Sequence, residues 1–88
     1  MKTQQFTVID PLGIHARPAS QLVAKATPFT SAIEVRTEEK AANLKSILGV
    51  MGLALKQGSQ FTLYVEGEDE EQAFEALATL MTEMGLAQ

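Results

Sequence analysis

The sequence predicts an α+β fold in which helices cover one face of a β-sheet and the other face meets solvent. Three observations lead there. Residues 4–9, 32–37 and 60–66 alternate apolar and polar side chains with the two-residue period of a strand. The segments that start at Ala16 and after Asp69 instead repeat apolar side chains three and four apart, the period of a helix. The resulting order is strand, helix, strand, strand, helix, strand, helix, with no internal repeat and no linker. At 88 residues this is the length of one domain, residues 1–88.

Each element has a local reason. In the first strand Phe6 and Val8 point inward, and Pro11 and Gly13 break it. Ala16, Ala19, Leu22 or Val23, and Ala26 then share a helical face. Pro18 falls in the first turn, where a missing N–H costs little. Thr27 stands before Pro28, which disfavours helix and ends the element. Residues 32–37 form a strand, Glu38-Glu39 the tip of a hairpin, and residues 40–43 a return strand weakened by alanine and lysine. Ser46 opens a short apolar helix to about Leu55, and Gly58 marks a turn. Residues 60–66 are the strongest strand, with Phe61, Leu63 and Val65 on one face, ended by Gly67. Asp69 with Gln72 approximates a capping box. The last helix carries Ala73, Phe74, Leu77, Leu80, Met81 and Met84 on one stripe, and Gly85 stops it.

Composition narrows the function. With 45% hydrophobic and 20% charged residues the chain is neither a disordered tail nor a low-complexity linker. It has no cysteine, which excludes a disulfide scaffold and a thiolate metal site, and its single histidine, His15, excludes a multi-histidine one. The longest run without a polar residue, 47–55, falls far short of the ~20 residues that span a bilayer. Residues 1–10 lack the apolar stretch of a signal peptide, so a soluble cytoplasmic protein is expected. Residues 1–60 hold seven basic and four acidic side chains, net +3, whereas residues 61–88 hold seven acidic and no basic ones, net −7. That asymmetry suggests a neutral-to-basic working face and an acidic back; alternatively, the acids solvate the outside of the last helix. With no basic run and few aromatics, direct nucleic-acid binding is disfavoured.

Two segments carry chemistry. In Gly13-Ile14-His15-Ala16-Arg17-Pro18-Ala19 the histidine falls at the N-cap of the first helix. The following amides, of Ala16 and Arg17, have no carbonyl partner within the helix and lie at its positive end. Arg17 adds a cation whose fork matches phosphate oxygens. A nucleophile beside an oxyanion cradle is what a phosphohistidine requires. A Mg²⁺-binding carboxylate cluster and a glycine-rich nucleotide loop are missing, so the site suits accepting and donating a phosphoryl group rather than activating ATP. The plainer alternative is a surface histidine that caps a helix, with Arg17 merely solvated.

The second segment is Asn43-Leu44-Lys45-Ser46-Ile47-Leu48-Gly49-Val50-Met51. Ser46 is a good N-cap, and capping alone explains it. The helix behind it is apolar nearly all round, through Ile47, Leu48, Val50, Met51, Leu53 and Leu55. Such a helix is either buried or presents a docking patch. Gly49 and Gly52 weaken it by ~1 kcal/mol each relative to alanine but would admit another chain closely. Lys45 would attract an acidic partner.

Both segments resemble the two signatures of the HPr family, the histidine-containing phosphocarriers of the bacterial phosphoenolpyruvate-dependent sugar phosphotransferase system, and the likeness covers essentially the whole chain. The second is similar to the form found in low-GC Gram-positive bacteria. The resemblance implies a four-stranded antiparallel open-faced sandwich, sheet order 1-4-2-3, with three helices on one face. It implies that His15 takes a phosphoryl group on Nδ1 from phosphorylated enzyme I and passes it to enzyme IIA domains, stabilised by Arg17 and the Ala16 amide. It further implies phosphorylation of Ser46 by HPr kinase/phosphorylase with ATP, after which the catabolite control repressor binds. Leu12, Ser20, Lys45, Ile47, Leu48 and Met51 are the expected partner contacts, and no resident cofactor or metal is expected. On this reading the chain is a carrier rather than an enzyme.

Two residues depart from the family pattern. Leu12 stands where Gram-positive members commonly carry a small hydroxyl residue, so no hydroxyl acts there. Glu38-Glu39 replaces the usual Asn-Gly hairpin turn, which must then adopt another geometry, because glutamate is penalised at positive φ. Two other functions remain open: a purely regulatory paralogue that signals through Ser46, against which the presence of His15 argues, and a small α/β ligand-binding module, for which no pocket-forming cluster is evident.

Overall fold

A computed structural model describes residues 1–88. The elements are β1 (Lys2–Thr7), α1 (Ala16–Ala26), β2 (Ala32–Arg36), β3 (Ala41–Asn43), α2 (Ile47–Gly52), β4 (Gln60–Glu66) and α3 (Glu70–Glu83). The four strands form one antiparallel sheet in the order β1-β4-β2-β3. Order, strand pairing and three helices agree with the fold that the resemblance implies.

Strand alternation decides which face is covered. In β4, Phe61, Leu63 and Val65 are buried while their neighbours are not. The register places Phe6 opposite Phe61, and Val35 opposite both Leu63 and Ala42, so one face of the sheet is apolar throughout. Phe6 and Phe61 stack with ring centroids 5.5 Å apart. Leu22 and Ala26 of α1, Val50 of α2 and Ala73, Leu77 and Met81 of α3 close over this face. Each large side chain buried there contributes about 1.5–3 kcal/mol. On the open face Arg36 lies over the Tyr64 ring at 4.1 Å and donates to Glu34 at 2.8 Å.

Several elements differ from the sequence expectation. The first strand starts and ends earlier than 4–9: after Thr7, Val8 bridges Ala87, because residues 86–88 return to pair beside the strand end. Ala16 is exposed; Pro18, Ala19, Leu22 and Ala26 form the buried face of α1. Thr27 keeps helical angles although it precedes Pro28, because its N–H and its hydroxyl both donate to the Val23 carbonyl. The hairpin tip forms without positive φ at Glu38 or Glu39, closed by the Thr37 N–H donating to the Lys40 carbonyl at 2.8 Å.

The helix at Ser46 stops at Gly52 rather than near Leu55, since Ala54 turns the chain at φ +51 and sends Leu55 into the core. The Asp69–Gln72 capping box does not form. Asp69 occupies the N-cap of α3, but its carboxylate is bound elsewhere, and Glu70 Oε1 accepts from the Gly67 N–H at 3.1 Å instead. Along α3, Glu71, Glu75 and Glu83 are exposed, which favours the plainer reading of the acidic segment.

Candidate functional site

His15 is the N-cap of α1, with extended backbone angles, and its side chain makes no capping bond. Its carbonyl accepts from Ala19 at 3.0 Å and starts the helical ladder. The amides of Ala16 and Arg17 have no acceptor in the protein, so two N–H groups at the positive end of α1 stand free beside the ring. His15 Nε2 lies 3.9 Å from Asp10 Oδ2, and Arg17 is exposed. Asp10, His15, Arg17, Pro18, Gln21, Met84 and Leu86 line a shallow hollow of about 240 Å³.

The loop that delivers His15 is held from three sides. The Gly13 N–H donates to the Asp10 carbonyl at 2.8 Å, and the Ile14 N–H to the Leu55 carbonyl at 2.9 Å. The N–H groups of Ile9 and Asp10 both donate to the Leu86 carbonyl. Gly13 adopts φ +71, and a Cβ there would run into the backbone of Leu55 and Lys56. The loop before α1 therefore rests on the turn after α2 and on the strand-like residues after α3.

Ser46 is half-buried at the N-cap of α2, where its hydroxyl accepts from the Gly49 N–H at 3.1 Å. Of the apolar residues behind it, Val50 and Leu55 enter the core, whereas Ile47, Leu48 and Met51 stay exposed, Leu48 by 86%. Leu12 is also exposed, by 75%, as is Ser20. Lys45, expected to attract an acidic partner, has a partner within the chain. Its Nζ donates to the Phe29 carbonyl at 2.6 Å and is half-buried, tying this turn to the segment after α1.

Sequence reasoning singled out His15, Ala16, Arg17 and Ser46 and did not foresee three features around them. It counted Asp10 only as a charge, did not place Met84 and Leu86 in the wall, and gave Lys45 no intramolecular partner. The one available signal was an acid five residues before the only histidine, separated from it by a Pro-Leu-Gly turn. A larger hollow, about 720 Å³, opens on the solvent face of the sheet near Arg36 and Tyr64 and includes neither His15 nor Ser46.

Comparison with known proteins agrees with this geometry. The family model described as the phosphotransferase-system HPr component phosphorylation site matches residues 2–83. A phosphocarrier protein HPr of Lysinibacillus sphaericus is 97% identical over 88 residues, covering all of both chains. The histidine-containing phosphocarrier protein of Mycoplasma superposes with a TM-score of 0.96 at 39% identity over 99% of each chain. An HPr from Thermoanaerobacter tengcongensis superposes with a TM-score of 0.89 at 41% identity, over 94% of this chain and 93% of that one. The chain belongs to the HPr family of phosphocarrier proteins of the phosphotransferase system.

Proposed function

We propose that His15 carries the phosphoryl group, receiving it from phosphorylated enzyme I and delivering it to enzyme IIA domains. The observation that supports this most strongly is the only histidine of the chain standing at the N-terminus of α1 with the Ala16 and Arg17 amides unpartnered beside it. The Nδ1 lone pair attacks phosphorus, and the bond from phosphorus to the donor breaks with its electron pair returning to the donor. The phosphoryl oxygens find the two free amides and the positive end of the helix. Arg17, exposed on the rim of the same hollow, supplies a bidentate cation once an anion is present.

On this reading the chain is one domain, a cytoplasmic carrier and a substrate of other enzymes. Its unbroken core supports the first point, and no helix is long and apolar enough to cross a membrane. Ile47, Leu48 and Met51 with Leu12 and Ser20 form the surface that enzyme I and enzyme IIA domains cover. Ser46 is the regulatory position, phosphorylated by HPr kinase/phosphorylase, and the catabolite control repressor then recognises the phosphorylated turn. Lys45, tied to Phe29, acts by holding that turn rather than by reaching a partner.

Incubation with enzyme I and phosphoenolpyruvate, followed by intact mass, tests the carrier role. One acid-labile, base-stable phosphate is expected, absent in His15→Ala. Arg17→Lys is expected to keep the fold and slow transfer. Labelling retained in His15→Ala overturns the assignment.

A further inference from the structure

We propose that Asp10 is a positioning residue for His15, holding the ring in the tautomer that leaves Nδ1 free to attack phosphorus. The inference rests on His15 being the phosphoryl acceptor.

Asp10 is itself fixed by three bonds. Its N–H donates to the Leu86 carbonyl at 3.3 Å, its carbonyl accepts from the Gly13 N–H at 2.8 Å, and its Oδ1 accepts from the Leu12 N–H at 2.9 Å. With Oδ1 committed to the loop, Oδ2 is the oxygen that faces His15 Nε2, 3.9 Å away. The two side chains are only partly exposed, 23% for Asp10 and 39% for His15, in a hollow walled by Pro18, Met84 and Leu86. Arg17 is the other charged group lining that hollow. No hydrogen bond holds the ring, and the apolar Leu12 side chain offers it none.

A neutral imidazole carries one proton, and the nitrogen facing a carboxylate keeps it. The proton therefore sits on Nε2 and the lone pair on Nδ1, on a ring carried at the N-terminus of α1 where the Ala16 and Arg17 amides are free. At 3.9 Å the contact is electrostatic rather than a hydrogen bond, and such contacts commonly tighten when the reacting partner binds. Transfer to Nδ1 then moves no proton. The lone pair of Nδ1 forms the new N–P bond, the donor recovers the electrons of the old one, and the ring proton stays on Nε2, facing Asp10, throughout. A carboxylate behind a metal-bound histidine contributes about 10- to 100-fold, and one that fixes the tautomer of a catalytic histidine up to about 10⁴-fold.

Asp10→Asn separates positioning from architecture. Its amide oxygen still accepts from the Leu12 N–H, while its NH₂ now faces Nε2 and favours the opposite tautomer. The measurement is the ¹⁵N shift of both ring nitrogens at about pH 9, above the ordinary imidazole range, together with phosphoryl uptake from phosphorylated enzyme I and thermal melting. The protonated-nitrogen signal is expected at Nε2 in the parent and at Nδ1 in Asp10→Asn, with uptake about tenfold slower and melting unchanged. Asp10→Ala, which loses both contacts, is expected to give an intermediate tautomer ratio. Ring shifts that are the same in all three proteins overturn the inference, whatever the rates do. If the shifts move as described but the parent takes no phosphate, the carrier reading fails and the tautomer control stands.

Discussion

The Ser31 hydroxyl donates to the Asp69 carboxylate, joining residues 38 apart in sequence. The same carboxylate accepts from the N–H groups of Thr30 and Ser31 at 2.9 and 3.0 Å. One acid thus closes the segment before β2 onto the start of α3, and the N-cap of α3 goes without its side-chain bond.

These contacts make Asp69 a source of pH-dependent stability. The Ser31 hydroxyl first, then the Thr30 N–H, hold its pKa down at about 2. Because folding favours the ionised form, the contribution is complete above the ordinary carboxylate range of about 4 and is lost as pH falls from there toward 2. Melting of Asp69→Asn against the parent checks this: the variant melts lower at pH 7, and the gap narrows as pH drops through that window. A gap that does not vary with pH removes the ionised carboxylate as the cause.

Gly13→Ala should disturb the histidine loop. The new Cβ would sit 2.9 Å from Lys56 Cα and closer still to the Leu55 carbonyl oxygen, at φ +71. Strain at such a backbone and the clash together predict a loss of about 3 kcal/mol. Denaturant melting reads the stability, and the ring signals of His15 report its displacement.

Ala54→Gly should stabilise the protein. A residue with a Cβ at φ +51 costs about 1–2 kcal/mol, and glycine returns about 0.4–1 kcal/mol of that through the freer unfolded chain. The net gain, about 0.5–1 kcal/mol, raises Tm by roughly 3–6 °C in a domain of this size. A lower Tm would show that Ala54 carries less strain at this φ than the entropy that glycine adds to the unfolded chain.

Leu48→Ala should leave stability within about 0.5 kcal/mol, because Leu48 is 86% exposed. If Ile47, Leu48 and Met51 form the docking surface, affinity for enzyme I falls about tenfold, measured by titration calorimetry.

Ser46→Ala removes the acceptor for the Gly49 N–H and should cost about 1 kcal/mol. Ser46→Asp keeps a cap and should fold normally, yet take phosphate from enzyme I more slowly, with the defect shrinking as salt rises. A defect undiminished at high salt would replace repulsion with steric occlusion.

Periodicity along the chain was enough to place every helix and strand in order, to set the bounds 60–66 of β4 and to put His15 at the N-cap of α1. Alternation and three-to-four spacing are properties of near neighbours, so they survive without knowledge of the fold. Tertiary structure alone decided which oxygen faces His15, where the Asp69 carboxylate goes and what holds Lys45. It also decided where α2 ends, although Ala54 carries no special turn signal in the sequence. Asp10 meets His15 because Leu86, 76 positions later, anchors its N–H; the Asp69 carboxylate leaves the α3 amides uncapped because the Thr30 and Ser31 donors meet it; and Lys45 reaches the Phe29 carbonyl because α1 ends beside it. A side chain chooses its partner by distance in space and by which donors remain unpaired once the core has closed, and neither quantity is written in the local pattern.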